Sequence, residues 1–443
     1  MKIINKFLIT ILVFSLGACE LDLVNPNAAT EEQVLNTKDG LIALAVGVRQ
    51  LYSTSAYGIA VLYPSVTTRE AAAMTTFSSL EELEIGGTAL NGDNERVTRL
   101  FTNVMRVKGM AENLVAGIDN VSLANDTRAS LLAYGNLFRA MCLGILAQNW
   151  EQAPVFNSPN NDATFSDRAA VYAEAIRILD ESAKAMEGTA LPAELAGPFG
   201  EIDLLNTLYA YLARYHNAVG NHDAAIAAAG KVDLSATSYL TYDEENANPI
   251  FNGFFVGNVE YAPRANFGLP DELLPDAADA RIGFYLNMVG DTSLYGNLPV
   301  EQLAAPFFAS QTASIPAYLP GEMMLIIAEA NARKGQAGPA EAALNMVRQK
   351  TADDDAYGLG AGLTDTYSSG GNQQALLNEI YKNRRIELFL IGTSLEDSRR
   401  FGRPEPPATP TNADFASERN RNFYPYPDNE RESNPNTPAD PPI

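Results

Sequence analysis

Histidine, cysteine and tryptophan are nearly absent from this chain of 443 residues, which has two, two and one of them. With only His216 and His222, a His-rich zinc site or a Ser-His-Asp triad has little material. Cationic residues are also short: 31 Lys and Arg stand against 54 Asp and Glu, a formal charge of −23. Nucleic-acid binding rests on cations that neutralise phosphate, so that partner is excluded. A basic patch for anionic lipid is excluded on the same ground. No Walker sequence and no Gly-x-Ser-x-Gly elbow occurs. Gly358-Leu359-Gly360-Ala361-Gly362 has the wrong spacing for a nucleotide loop and no strand before it. Asp353-Asp354-Asp355 lacks the alternating ligands and closing Glu of a calcium loop and reads as a solvated turn. No metal and no cofactor is expected.

What the chain does have begins at its N-terminus. Lys2 and Lys6 precede an apolar run, Phe7 to Phe14, and then Leu16-Gly17-Ala18-Cys19. The run is too short to span a bilayer and ends in small residues, as a secretory signal does. A cysteine directly after Leu-Gly-Ala resembles a bacterial lipobox. On that reading residues 1–18 are removed, Cys19 carries lipid, and 19–36 are a tether. An ordinary signal with a chance cysteine is the competing reading. If Cys19 is lipidated, only Cys142 remains, and no intrachain disulfide is available. Cys142 lies in the apolar stretch Phe138–Leu143 and reads as a buried, inert thiol. No later stretch reads as a membrane span, so the body is expected to be soluble and tethered.

Helical periodicity dominates the rest. Leu41, Leu44, Ala45, Val48 and Leu51 mark one face of a helix over 37–52. Further helices are expected over 96–118, 126–150, 167–186, 203–219, 223–232, 320–333, 340–350 and 373–391. Pro320 and Pro339 open two of them, and Gly220 and Gly335 end two. Two pairs share one compact form, an apolar helix, a turn with glycine and an Ala-rich helix, over about 30 residues, the size of a tetratricopeptide hairpin. With two longer N-terminal pairs there are four hairpins, about 37–118, 125–187, 203–232 and 320–350. Each has a face it cannot bury alone, so the pairs must stack. Segments 56–93, 235–319 and 351–371 are rich in Gly, Pro, Asn and aromatics and read as long loops. Loops of that length usually carry function. The tail 403–443 holds ten of the 25 prolines and is expected to run extended over the surface.

The C-terminal third carries a recognisable order of motifs. Ala328-Glu329-Ala330 followed by Asn345-Met346-Val347-Arg348 resembles the "AEA … N-x-V-R" signature of the SusD/RagB family. Ile380 to Leu388 is similar to its "I-x-x-x-R-R-x-E-L" helix, and Asp397-Ser398-Arg399-Arg400-Phe401-Gly402 to its "D-x-R-R-W/F-G" segment. Tyr424 to Glu430 with Asn434-Pro435 resembles its closing motif, and Arg139-Ala140 through Asn149 to Pro154 its "R-A … Y-G-D-V-P" stretch. Asn149-Trp150-Glu151 and Ile391-Gly392-Thr393 depart from the usual "Y-G-D" and "F-E-G". The resemblance implies a mainly α fold: a single unit over 37–443, with four tetratricopeptide-like hairpins supporting long irregular loops that form a ligand-binding face. It implies a lipid-anchored protein on the outer-membrane surface of Bacteroidetes-type bacteria. Such a protein binds oligosaccharides or polysaccharide fragments, delivers them to a SusC-like TonB-dependent transporter, and catalyses nothing.

Sugar binding needs aromatic faces for ring C–H groups and polar groups for hydroxyls. The loops offer Tyr63, Phe77, Tyr285 and Tyr295 as faces, with Arg69 and Asp93 as polar partners. For each aromatic the alternative is packing beneath a loop. The indole that many family members place before the "A-N" helix is missing between Arg96 and Asn113, and Trp150 falls inside a family motif. That absence keeps open a peptide ligand on the same architecture. A surface glycosidase and a scaffold without small ligand are the remaining alternatives. Arg384, Arg385, Glu387, Asp397, Arg399 and Arg400 read as ion pairs that pin the last helix to the hairpins.

Overall fold

The computed structural model describes residues 34–409, 415 and 417–443. The expected signal, lipidation at Cys19 and most of the 19–36 tether lie outside the described residues.

The chain is a succession of helix hairpins. Lys38–Leu51 lies against Glu95–Gly117, which packs on Asn125–Asn149, and that helix pairs with Arg168–Met186. Leu204–Ala218 pairs with His222–Ala229, and Pro320–Arg333 with Ala337–Gln349. Each hairpin covers the next: Arg168–Met186 lies on Leu204–Ala218, and His222–Ala229 on Pro320–Arg333. Gln373–Glu387 closes the array. Asn221, whose sequence position suggests a cap for His222–Ala229, makes no capping bond with its side chain. Thr37, Asp167 and Asp203 do cap, accepting hydrogen bonds from the first-turn amides of their helices.

Asn125–Asn149 is buried on nearly every side. It is apolar and long enough to cross a membrane by length and composition, contrary to the sequence reading, yet its neighbours enclose it. Gly144 leaves the space that the Tyr215 phenol fills, since a Cβ there would lie 2.0 Å from Tyr215 Oη. Cys142 is buried in this helix, and burial pushes its thiol up.

Segment 56–93 is not the expected loop. The first helix widens into a π-helical turn, Tyr52–Tyr57, and continues as Gly58–Thr67. Ser53 and Thr54 hydroxyls donate to the Gln50 carbonyl at 3.1 and 2.7 Å and so compete with the regular ladder. Pro64 supplies no amide to the Ala60 carbonyl, and Gly392 packs against that turn. A short ribbon follows, Ala71–Ala73 paired antiparallel with Tyr261–Pro263. Ser78–Ile85 is a further helix.

The tail is the second correction. Its middle does not run over the surface: Arg419, Asn420, Tyr424 and Tyr426 are buried, while most of 428–443 is exposed or half-buried. The Tyr424 hydroxyl and Thr67 Oγ1 are 2.8 Å apart, and Trp150 Nε1 donates to the Pro425 carbonyl at 3.0 Å. The tail also holds a short helix, Asp428–Ser433. The third is the last long helix, which stops at Glu387, four residues early, because Leu390 turns the chain at φ +57°. The fourth is the acidic turn. Asp355 is buried and accepts from the Tyr357 amide and from Lys350.

The expected ion pairs are present except at Arg385, which donates instead to the Thr68 and Phe267 carbonyls at 2.9 Å. Glu329, fully buried, accepts from Arg400 at 2.8 and 2.9 Å, Arg333 at 2.8 Å and Asn217 at 2.9 Å. Arg384 grips Asp397 through two bonds. Glu387 meets Arg281 and Lys350 at 2.9 and 2.7 Å. Together they tie the last helix to the fourth hairpin and to segment 235–319.

Candidate functional site

Two clefts open on the irregular face, on either side of Tyr261–Arg264. The larger has a volume of about 630 Å³. This is the size of a pocket for a small ligand or a few sugar units. The π-helical turn contributes Thr54 and Ser55, Gly58–Thr67 contributes Tyr63, and Glu95–Gly117 contributes Glu95, Arg96 and Arg99 from its first turns. Phe77, Asn252, Val256, Glu260 and Tyr261 complete the wall. Phe77 is 46% exposed and Val256 51%, so the cleft has an apolar lip.

Below the lip the wall is polar and rigid. Arg96 donates to the Tyr261 hydroxyl at 2.7 Å and pairs with Glu260 at 2.9 Å. Its guanidinium stands 5.5 Å from the centre of the Tyr63 ring, within cation–π range. Burial raises the Tyr63 phenol, with Arg96 and Arg99 opposing. Asn94 caps this helix by accepting from the Arg96 and Val97 amides. Two arginines in the first five residues of a helix oppose its dipole, a cost of about 0.3–1 kcal/mol each. That local cost is the signal in the sequence that marks these two residues, and the loop-by-loop reading passed over them.

The six residues expected to bind ligand are dispersed. Tyr63 and Phe77 meet in the larger cleft, although Tyr63 is only 2% exposed and serves as a floor under Arg96. Arg69 lines the second cleft and donates to the Glu84 carbonyl at 2.7 Å. Tyr295 is half-buried; its ring stacks on Phe415 at 6.4 Å and its hydroxyl donates to the Thr75 carbonyl. Asp93 is exposed and lines neither cleft. Tyr285 is removed from the set. It has no exposed surface, and its hydroxyl donates to the Glu387 carbonyl at 2.9 Å. Trp150 is fully buried as well. Among the described residues, no group of three or more His, Cys, Asp or Glu is placed to hold a metal ion.

An array of helix hairpins carrying loop-built clefts is the fold that the comparisons also find. A Bacteroides thetaiotaomicron SusD superfamily protein superposes with a TM-score of 0.71 at 17% identity, covering 91% of this chain and 100% of that one. A SusD-like carbohydrate binding protein from Bacteroides fragilis gives 0.67 at 15% identity, with 91% and 100% covered. B. fragilis NanU gives 0.64 at 14%, with 94% and 99% covered. At these identities the likeness shows the fold. Residues 309–440 match the SusD family model, so the C-terminal third of the chain is similar to that family. No curated protein sequence matches it.

Proposed function

We propose that this protein captures oligosaccharides in the Phe77–Arg96 cleft and hands them to a barrel transporter of the SusC type, held at the outer-membrane surface by lipid on Cys19. One observation carries the reading. A half-exposed aromatic ring shares a cleft of about 630 Å³ with an arginine, hydroxyls and an amide. A sugar ring offers C–H faces and hydroxyls to that combination. The SusD fold supports it, because a B. fragilis neighbour is described as a SusD-like carbohydrate binding protein. The function is capture without bond cleavage. Glu260 is tied up by Arg96, which leaves the cleft no free pair of acids arranged for glycoside hydrolysis.

Burial of Trp150 favours a second reading, a peptide ligand. The cleft has no indole to stack on a sugar, and its hydroxyl, amide and guanidinium groups would also match a peptide backbone. Calorimetric titration with neutral oligosaccharides and with peptides separates the two. Heat with one glycan class, lost in Phe77→Ala, supports the sugar reading. Heat with peptides alone replaces it, and silence with both removes the cleft as a ligand site. The tether is tested by Cys19→Ser, which should release the protein from the membrane fraction.

A further inference from the structure

The second cleft lies three residues along the same extended segment from Tyr261, about 10 Å at the rise of a strand. Its volume is about 400 Å³. Its floor includes backbone in the left-handed region, Arg69 at φ +63° and Asn266 at +56°, with Phe267 at +61° next to Asn266 and Asn297 at +50° beside Leu298 in its wall. Those four are among six such non-glycine residues in the described chain, so the strain is concentrated here. Each costs about 1–3 kcal/mol and persists only where the surroundings hold it. Gly268 completes the floor, since a Cβ there would lie 1.8 Å from the Arg69 carbonyl oxygen.

Arg264 stands in this floor at 4% exposure. Its Nη2 is bound to the Glu84 carboxylate, but Nε and Nη1 have no partner among the described residues. Unfilled buried donors are expensive, about 1–3 kcal/mol each and more for a charged group. An anionic oxygen is the acceptor that satisfies a guanidinium best. The walls suit a ring as well as a charge. Leu269, Pro270 and Pro299 are apolar, and Phe415 is braced by Tyr295. Of the two acids at the rim, Glu272 pairs with Arg403 at 3.1 Å, which leaves Asp271 to accept from ligand hydroxyls.

We propose that this second cleft binds the carboxylate of a sugar acid at Arg264, separately from the ligand in the larger cleft. The choice of a sugar as the body of that ligand rests on the oligosaccharide reading above. The test is calorimetry of the purified full-length protein with a hexuronate oligosaccharide and its neutral hexose counterpart. Pro299 is exposed, so Pro299→Glu places a like charge in the cleft without opening the core. Uronide affinity should fall at least tenfold in Pro299→Glu and in Arg264→Gln and stay unchanged in Phe77→Ala. Neutral-glycan affinity should respond in the reverse pattern. A melting curve for each variant separates lost binding from lost fold, and Pro299→Glu alone suffices if Arg264→Gln does not fold. Uronide binding that is absent, that survives Pro299→Glu, or that is lost with Phe77 alone overturns the proposal. Uronide binding with the expected pattern but no neutral binding keeps it and removes the oligosaccharide reading of the larger cleft.

Discussion

At Phe77 the ring stands nearly half in solvent and, among the described residues, makes no stacking pair with another ring, so its role is read through ligand rather than stability. Phe77→Ala is expected to weaken oligosaccharide binding about tenfold, ~1.4 kcal/mol, with an unchanged melting temperature. Tyr285 is the opposite case. Tyr285→Phe deletes a buried bond to the Glu387 carbonyl and should lower stability by about 1 kcal/mol while calorimetric affinity holds. In sequence these two residues look alike, aromatics in Gly- and Asn-rich stretches. What separates them is which tertiary neighbours close over each ring. Arg96 and Arg99 carry a local mark, cations against a helix dipole, but it is worth less than 1 kcal/mol and is easily passed over.

Helices were legible where they are amphipathic or capped, and illegible where neither holds. Thr37, Asp167 and Asp203 cap the helices that follow them. Gly58–Thr67 has no polar face, because nearly all its residues are buried, and so it shows no stripe of period 3.6. With Pro64 inside it and hydroxyls before it, the segment reads as loop. The helix that opens the larger cleft is tested at its cap. Asn94→Ala removes the acceptor for the Arg96 and Val97 amides and a donor to Glu82, and should cost about 1 kcal/mol in a denaturant titration. Ligand affinity should fall with it, because Arg96 and Arg99 lie in the turns it organises. The tail is the other element that the sequence misplaces. Prolines correctly exclude a long helix there, but they do not say whether an extended chain lies outside or inside. Its burial predicts that a chain ending at residue 416 fails to fold cooperatively, seen as loss of a sharp melting transition, since Trp150 and Thr67 lose their partners.

The whole molecule carries a large negative charge, but its interior is held by balanced ion pairs. Burial alone pushes the Glu329 carboxyl up; Arg400, Arg384 and Arg333 outweigh it, and the group ends well below its ordinary value. Glu396 is lowered in the same way, burial being overcome by Arg399 and Arg168. A carboxyl whose folded value is depressed stabilises the fold above its unfolded value, 4.5 for these glutamates, and loses that contribution as pH falls below it. Melting temperature should therefore hold from pH 7 to about 5 and fall steadily as the medium is acidified further. Glu329→Gln leaves three arginines against a neutral amide. It should cost about 3–5 kcal/mol at pH 7 and flatten the acid limb of that profile.

By itself the sequence determined the secondary-structure class, the hairpin count, the family motifs and the ion-pair role of the last helix. Each rests on residues close in the chain or on charges whose pairing one helix face dictates. Only the tertiary structure decided which aromatics face a cleft, that the middle of the Pro-rich tail is interior, and that Arg69 and Phe77 line different clefts. Those outcomes depend on contacts between segments hundreds of residues apart, such as Thr67 with Tyr424. Exposure of a side chain is set by what packs over it, and no local pattern encodes that.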